Sequence, residues 1–124
     1  MKKLFFFLIF TFLFIAAKSS YSQEWYYICE HSGINNYVDI KNITRADDHT
    51  DFWVMAGKFN DGSVEYIKYK IRTYCQDYTY VLLLQSTFYL DGTVQKEDYP
   101  EGSDIKRIEQ GSVVDMVSVF ICQH

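Results

Sequence analysis

Two long runs, residues 64–75 and 79–90, constrain this chain most, because each alternates its side chains and a short hinge joins them. A repeat of two residues is typical of a β-strand, since successive side chains point to opposite faces of a sheet. In the first run, one face carries Ile67, Tyr69, Ile71 and Cys75. The other face carries Tyr66, Lys68, Lys70, Arg72 and Tyr74. We therefore expect a strand with one buried face and one face in water.

The second run is apolar on both faces, which predicts a central strand. Its alternation places Tyr80, Leu82, Leu84, Phe88 and Leu90 on one face and Val81, Leu83 and Tyr89 on the other. Aromatic residues make up 19% of the chain, and aromatic and β-branched residues favour half-buried positions in sheets. Composition and alternation therefore both indicate a protein built mainly of sheet.

Four further segments complete the predicted sheet. They are residues 24–31, 34–40, 51–59 and 93–97. Ser32-Gly33 marks a turn between the first two, and Asp-Gly pairs mark two later turns, because Gly adopts a positive φ without steric cost. We expect residues 41–49 to be polar and turn-rich, with at most a short helical turn. Residues 98–109 read as a surface loop.

A C-terminal helix is predicted from residue 113 onwards. Ser112 and Asp115 fit a capping box, in which each side chain satisfies a free N–H of the first turn. Apolar residues then recur at helical spacing, at Val113, Met116, Val117 and Phe120. Because β-branched residues lower helix propensity, a strand is the alternative. The predicted fold class is α+β, a single six-stranded antiparallel sheet with this helix packed on one face.

The first 22 residues have the pattern of a secretory signal peptide. Two lysines precede an apolar run that ends in small and polar residues, and we expect cleavage after Ser22. A membrane anchor is the alternative, but the run is shorter than the roughly 20 residues of a spanning helix. We therefore expect one exported domain, residues 23–124, in the periplasm, at the outer-membrane surface or secreted, with no membrane span after signal removal.

The chain contains three cysteines, Cys29, Cys75 and Cys122. In an exported protein these thiols meet an oxidising compartment, where they pair. We pair Cys75 with Cys122, because that bond closes a long loop and holds the helix end against the sheet, worth roughly 4 kcal/mol. Cys29 is then a buried thiol or the link of a covalent homodimer. A third alternative is that Cys29 replaces one partner of the pair.

The charge balance and the motifs exclude several classes of function. The chain has 12 Lys and Arg against 16 Asp and Glu, which is the wrong sign for a nucleic-acid partner. It shows no nucleophile elbow, phosphate loop or paired-carboxylate motif, so we expect neither an enzyme nor a cofactor. Cys29, His31, His49 and Asp47-Asp48 match no zinc spacing, and we predict no metal site.

A candidate binding site lies on the water-facing side of the first long run. Lys68, Lys70 and Arg72 form a basic ladder that Tyr66 and Tyr74 flank. Alternate residues of a strand lie roughly 7 Å apart, so three cations span an anionic glycan or an acidic patch on a protein. The alternative is that the ladder is only the solvent face of an antiparallel sheet.

Short segments along the chain carry a family resemblance. They are Tyr37-Val38-Asp39-Ile40, Phe52-Trp53-Val54, Tyr66-Ile67-Lys68-Tyr69-Lys70, Cys75-Gln76-Asp77-Tyr78-Thr79-Tyr80, Ser86-Thr87-Phe88-Tyr89, and Gly111-Ser112-Val113 through Cys122. In this order they resemble the surface-adhesin protein E family of Gram-negative bacteria, over essentially all of residues 23–124. The resemblance implies a six-stranded antiparallel sheet whose concave face holds a C-terminal helix through a disulfide.

The resemblance also implies a function. It indicates an outer-membrane or secreted adhesin that binds host extracellular-matrix proteins such as vitronectin and laminin. We therefore expect a small exported protein-binding domain. Because a fold does not imply a function, two alternatives stay open. One is a periplasmic inhibitor or immunity-type protein that blocks an enzyme through an exposed edge or loop, and the other is a structural envelope protein.

Overall fold

The computed structural model describes residues 22–57 and 62–123. Within these residues the chain forms eight strands and one helix. They are β1 (Trp25–His31), β2 (Ile34–Asp39), β3 (Thr44–Arg45), β4 (Thr50–Gly57), β5 (Val64–Tyr74), β6 (Thr79–Tyr89), β7 (Val94–Asp98), β8 (Lys106–Arg107) and α1 (Val113–Gln123). The predicted signal peptide lies outside the described residues except for Ser22. Residues 58–61 also lie outside them, including the end of the predicted strand 51–59 and Asp61 of the turn that follows.

The strands form one antiparallel sheet in the order β1-β2-β4-β5-β6-β7, with β3 beside β4 and β8 beside β6. The prediction of an antiparallel sheet is confirmed, but the predicted number of six strands is wrong. Six strands form the continuous path, and the two additional ones are two residues long. They lie in segments that we predicted as a turn-rich stretch and a surface loop.

The two short strands arise from unequal strand lengths. β2 pairs with β4 only along Val54–Gly57, and β7 pairs with β6 only along Leu84–Phe88. The remaining N–H and C=O groups at the starts of β4 and β6 need partners, because an unpaired backbone group costs free energy. β3 and β8 supply those partners. Backbone pairing of this kind leaves no side-chain pattern, so the sequence gives no sign of it.

A β-bulge in β6 overturns the predicted division of its faces. Leu84 pairs with Lys70 of β5 and Leu82 pairs with the next residue, Ile71, so that Leu83 is an extra residue. An extra residue shifts the alternation of the strand by one. Of the residues predicted to share a face, Tyr80 and Leu82 lie on the side of Ile71, Leu84 and Phe88 lie on the side of Lys70, and Leu90 lies beyond the strand.

The turn between β1 and β2 is confirmed. Ser32 and Gly33 have φ angles of 53° and 81°. Two successive positive φ angles are the geometry of the two-residue hairpin whose twist matches that of its strands. Gly adopts this conformation without strain, while Ser does so less readily. The dipeptide therefore fixes the register of the hairpin, in which Ile34 pairs with His31.

The C-terminal helix is confirmed, and the alternative of a strand is wrong. The Ser112 Oγ accepts a hydrogen bond from the Asp115 N–H at 3.1 Å, as the capping box requires. The Asp115 carboxylate accepts from the Gly111 N–H at 2.8 Å, one residue earlier than a standard box. It also accepts a hydrogen bond from the Tyr78 hydroxyl. The helix start is thus tied to the β5–β6 turn.

The core lies between the sheet and α1, on what we call the inner face. Its buried residues are Val38, Phe52, Val54, Ile71, Val117 and Ile121. At one end of the helix, Tyr26 of β1 stacks on Phe120 with ring centroids 5.3 Å apart. Burial of these side chains supplies the main favourable term in folding. It also compensates for the weak intrinsic helix propensity of the Val-rich α1.

The disulfide between Cys75 and Cys122 is confirmed, with Cα atoms 5.8 Å apart. It joins the end of β5 to the last turn of α1, which continues to Gln123. Cys29 is a free, half-buried thiol, so the alternative in which it replaces a partner of the pair is wrong. Burial raises the pKa of the Cys29 thiol, which lowers its reactivity. A covalent dimer through Cys29 stays a prediction.

Candidate functional site

The side of the sheet opposite the helix, which we call the outer face, carries the residues of the predicted basic ladder. Tyr66, Lys68, Lys70, Arg72 and Tyr74 alternate along β5 and share this face. Their cross-strand partners also lie on it, because paired residues of an antiparallel sheet point the same way. These partners include Asp51, Trp53 and Met55 of β4, and Leu84, Ser86 and Phe88 of β6. The helix packs on the inner face and leaves the outer face uncovered.

Arg72 is an ion-pair partner rather than a free cation. Its Nε donates to Asp51 Oδ1 at 2.8 Å and its Nη2 donates to Asp51 Oδ2 at 2.9 Å. Such a two-point bond fixes the guanidinium in one plane. Burial alone raises the pKa of Asp51, but the hydrogen bond and attraction of Arg72 outweigh it and lower that pKa. The three charges of the ladder are therefore not equivalent, because the charge of Arg72 is neutralised by Asp51.

Lys68 lies among three aromatic rings. Its Nζ lies 5.5 Å from the ring centroid of Trp25, 5.8 Å from that of Tyr66 and 5.5 Å from that of Phe88. An ammonium within about 6 Å of a ring centroid is attracted by the negative face of the ring. The Nζ also lies 3.5 Å from the Gln23 Oε1. Lys68 is thus held by side chains from three different segments.

Lys70 has a single aromatic neighbour. Its Nζ lies 5.8 Å from the ring centroid of Trp53, which is its cross-strand partner on β4. No hydrogen bond of the described residues involves this ammonium. Its charge helps to lower the pKa of Asp51, but the ion pair of that carboxylate is with Arg72. Lys70 is therefore the cation of the ladder that is best placed to meet an external anion.

The two tyrosines of the ladder differ in their surroundings. Tyr66 stacks on Phe88 with centroids 4.4 Å apart and planes 20° apart. Tyr74 makes an edge contact with the His49 ring at 5.9 Å, and the His49 Nδ1 lies 2.6 Å from the Asp48 Oδ1. Stacked rings add about 1 kcal/mol to what their buried area provides. Tyr66 therefore belongs to a rigid aromatic platform, while Tyr74 closes the opposite end of the row.

Sequence reasoning found β5 but missed the residues that neighbouring strands add. Trp25, Trp53 and Phe88 create the aromatic surroundings of the two lysines. The predicted strand 51–59 could have indicated Trp53, because alternation places Asp51, Trp53 and Met55 on one face. The sequence groups Phe88 with Tyr80 and Leu82, and the bulge in β6, which has no sequence signal, separates them.

Together these side chains form what we call the outer patch, defined by Trp25, Trp53, Tyr66, Lys68, Lys70 and Phe88. The ammonium groups of Lys68 and Lys70 lie within about 6 Å of the centroids of the four aromatic rings. Lysine ammonium groups supply hydrogen bonds to carboxylates or sulfates, and the rings supply rigid apolar area. The chemistry available here is recognition of an anionic group next to an apolar one.

In the part of the chain that the structure describes, no three or more His, Cys, Asp or Glu side chains come together as ligands for a metal ion. No described helix has the length and apolar character needed to cross a bilayer. Neither a protein-family model nor a curated protein sequence matches this chain.

Proposed function

We propose that this protein is an exported binding domain, rather than an enzyme, that engages a partner protein through the outer patch. The observation that carries the proposal is the pair Lys68 and Lys70, held over aromatic rings that come from β1, β4, β5 and β6. A sheet face that only contacts solvent does not need two lysines surrounded by aromatic rings from four strands. Holding the lysines before binding lowers the entropy cost of ordering them at an interface.

The patch favours a partner with an acidic surface that also presents an apolar side chain. Trp and Tyr are enriched among residues that dominate binding energy, because they bury large rigid surfaces. The lysines add electrostatic complementarity, which steers the encounter and selects the partner. The whole chain carries a formal net charge of −4. A positive patch on an acidic chain therefore directs a negatively charged partner to one place.

The resemblance to the surface-adhesin protein E family suggests the first partners to test. Vitronectin and laminin, which that family implies, are host extracellular-matrix proteins. Export and display at the outer membrane, or secretion, would bring the outer patch to them. The Cys75–Cys122 bond supports export, because structural disulfides persist in oxidising compartments.

A second candidate function is a periplasmic inhibitor or immunity-type protein. The edge strand β7 supports it, because all five of its residues are exposed. An exposed edge offers unpaired N–H and C=O groups to an extended segment of a target. Lys96, Glu97 and Asp98 lie on this strand, and such charges also discourage unspecific pairing. A purely structural role in the envelope is the third candidate.

The decisive experiment removes the two lysine charges and measures binding to immobilised vitronectin and laminin. We expect Lys68→Gln/Lys70→Gln to weaken binding at least tenfold and to remove most of its salt dependence, because those charges contact the partner. The matched control is Lys41→Gln/Lys106→Gln, which removes the same charge at two exposed lysines that are not part of the outer patch and should bind like the wild type. Equal weakening in both variants would indicate a general charge effect and contradict the proposal.

Localisation separates the candidates independently of any ligand. We expect protease added to intact cells to cleave the protein if it is displayed as an adhesin. Protection until the outer membrane is permeabilised would favour the inhibitor instead. In that case capture with the wild-type protein from a periplasmic extract, compared with the Lys68→Gln/Lys70→Gln variant, would identify the target and show whether the outer patch binds it.

A further inference from the structure

The inner face carries a cavity that the helix does not fill. Its volume is about 420 Å³. Val54 and Ala56 of β4 line it from the sheet, and Val113, Val114 and Val117 line it from α1. The segment between β7 and α1 closes one side through Tyr99, Ser103 and Lys106. A volume of this size lies in the range of pockets that bind small molecules.

The short helix explains why the cavity exists. α1 has 11 residues, which corresponds to about 16 Å of length. Its bonds hold it at one end of the sheet, through Cys122 to Cys75 and through Ser118 to Thr73. Ile34 and Ala56 lie toward the other end of their strands and line the cavity. The inner face is therefore longer than the helix that covers it, and apolar surface stays accessible.

Three polar side chains within the apolar lining form fewer hydrogen bonds than they are able to form. Among the described residues, no hydrogen bond involves the hydroxyl of Tyr69 or of Tyr80. Asn36 is only 3% exposed, and its Nδ2 donates to the Ile34 carbonyl at 3.1 Å while no such bond is formed by its Oδ1. No side-chain N or O atom of the described residues is both buried from solvent and unpaired, so these three groups are open to water in the cavity. A polar group of a bound ligand can replace that water.

The charge at the cavity is of one sign. Of the described residues that line it, Lys106 alone carries a permanent charge, and His31 is the other titratable basic group. No Asp or Glu is among the described lining residues. Lys106 is exposed at the rim on β8, opposite Tyr80 of β6. An apolar interior with a cation at its opening matches a molecule with an apolar body and an anionic head.

We propose that this inner cavity binds a fatty acid or a closely similar amphiphilic monocarboxylate. The acyl chain lies between the sheet and α1 against Val54, Ala56 and Val114. The carboxylate pairs with the Lys106 ammonium at the rim. The Tyr80 hydroxyl, on the residue that pairs with Lys106 across β6 and β8, donates to the same carboxylate. The site lies on the opposite face of the sheet from the outer patch, so it is independent of the function proposed above.

The test uses the full chain, purified from the cell fraction to which an expressing host exports it. Binding of palmitate is measured by displacement of the fluorescent fatty acid cis-parinarate. Val114→Phe places a ring in the cavity and should weaken palmitate binding at least tenfold. Val119→Phe is the matched control, because Val119 lies on the same helix but is 41% exposed and does not line the cavity. It should bind palmitate like the wild type.

The head group is tested with a second pair of variants. Lys106→Gln should weaken palmitate binding about tenfold and leave the binding of the uncharged alcohol hexadecanol unchanged. Lys96→Gln, an exposed lysine outside the cavity, should change neither. Because Lys106 is exposed, this variant also gives an answer if Val114→Phe does not fold.

Three results would overturn the proposal. They are no palmitate binding by the wild type, equal palmitate binding by Val114→Phe and Val119→Phe, and palmitate binding by Lys106→Gln that matches Lys96→Gln. The first two would exclude the cavity as a lipid site. The third would exclude the carboxylate assignment. Binding of Val114→Phe to vitronectin and laminin should match the wild type, so failure here and failure of the outer-patch proposal are distinguishable.

Discussion

The two faces of this sheet are built from the same strands but differ in the contacts that their side chains form. On β5, Ile71 points to the inner face, where it packs with Phe52 and Val117 in the core. Its neighbour Lys70 points to the outer face and lies over Trp53. Burying apolar area on the inner face stabilises the fold. The outer face contributes ion pairs and cation–π contacts, which are individually worth about 1 kcal/mol or less.

If the outer patch binds a partner as proposed, this difference separates stability from recognition within one small domain. The disulfide and the buried core both lie on the inner face, and a buried face specifies strand register. Outer side chains are therefore free to suit a partner, because their replacement costs little folding free energy. If the faces divide these roles, changes on the inner face should cost more folding free energy than changes on the outer face.

The largest expected effect follows from removing an inner-face ring. Phe52 is fully buried, and Phe52→Ala should lower the free energy of unfolding by about 3–5 kcal/mol, because the cavity adds to the lost burial. Urea unfolding measures this change. The outer-face control Lys70→Ala should change it by less than about 1 kcal/mol. Similar losses for the two variants would show that the faces do not differ in the way we describe.

The next largest effect concerns the tether between helix and sheet. Reducing the Cys75–Cys122 bond, or replacing both residues with Ser, should cost about 2–4 kcal/mol, because the unfolded chain gains freedom. The helix should loosen first, since the bond ends in its last turn. Hydrogen exchange should therefore rise in α1 before it rises in β4 and β5. An unchanged melting temperature after reduction would count against this role, and Cys29→Ser serves as the control.

A smaller, pH-dependent effect is expected on the outer face. Because Arg72 lowers the pKa of Asp51, their pair stabilises the folded state above the ordinary carboxyl pKa of about 4. This stabilisation is lost as the pH falls through the lowered pKa. Asp51→Asn should cost about 1 kcal/mol or less at neutral pH, since the pair is partly exposed.

The measurement for the Asp51–Arg72 pair is urea unfolding at a series of pH values. The difference between wild type and Asp51→Asn should shrink as the solution is acidified. Asp104→Asn, at an exposed residue with no ion pair in the described part of the chain, is the control and should show no such trend. A wild-type advantage that persists in acid would refute the assigned role of the carboxylate.

The smallest expected effect concerns the contact between the β5–β6 turn and the helix start. Burial, together with the hydrogen bond to Asp115, raises the pKa of Tyr78 to about 12. Because the neutral phenol is favoured in the folded state, this stabilisation is complete below pH 10 and is lost as the pH rises through about 12. Ultraviolet titration should show one phenol ionising last, and Tyr78→Phe should remove it. An unaltered titration curve would show that Tyr78 is not this phenol.

The fold was predictable to the extent that it depends on local patterns. The alternation of β5, the Ser32-Gly33 turn and the Ser112 cap each result from neighbouring residues, and each is found in the structure. The disulfide was also predicted, because a bond between Cys75 and Cys122 holds the helix end against the sheet, and it is found in the structure. β3, β8 and the bulge at Leu83 were not predicted. They depend on which backbone groups stay unpaired once long strands of unequal length have assembled.

The candidate sites were predictable to a smaller extent. The row of Lys68, Lys70 and Arg72 is visible in the sequence because a strand alternates. That Asp51 pairs with Arg72 while Trp53 lies beneath Lys70 depends on the register between β4 and β5. The inner cavity had no sequence signal at all. It results from the length of α1 relative to the sheet and from the place where Cys122 attaches it.

The sequence by itself therefore determined the six long strands, the helix and which β5 residues share a face, and it favoured the pairing of Cys75 with Cys122. These properties follow from the periodicity of the chain and from the chemistry of individual residues. Only the tertiary structure decided which cations are neutralised, which rings surround them and where apolar surface stays accessible. Those properties arise from contacts between residues far apart in the chain, whose distances are set by strand register, bulges and the position of the helix.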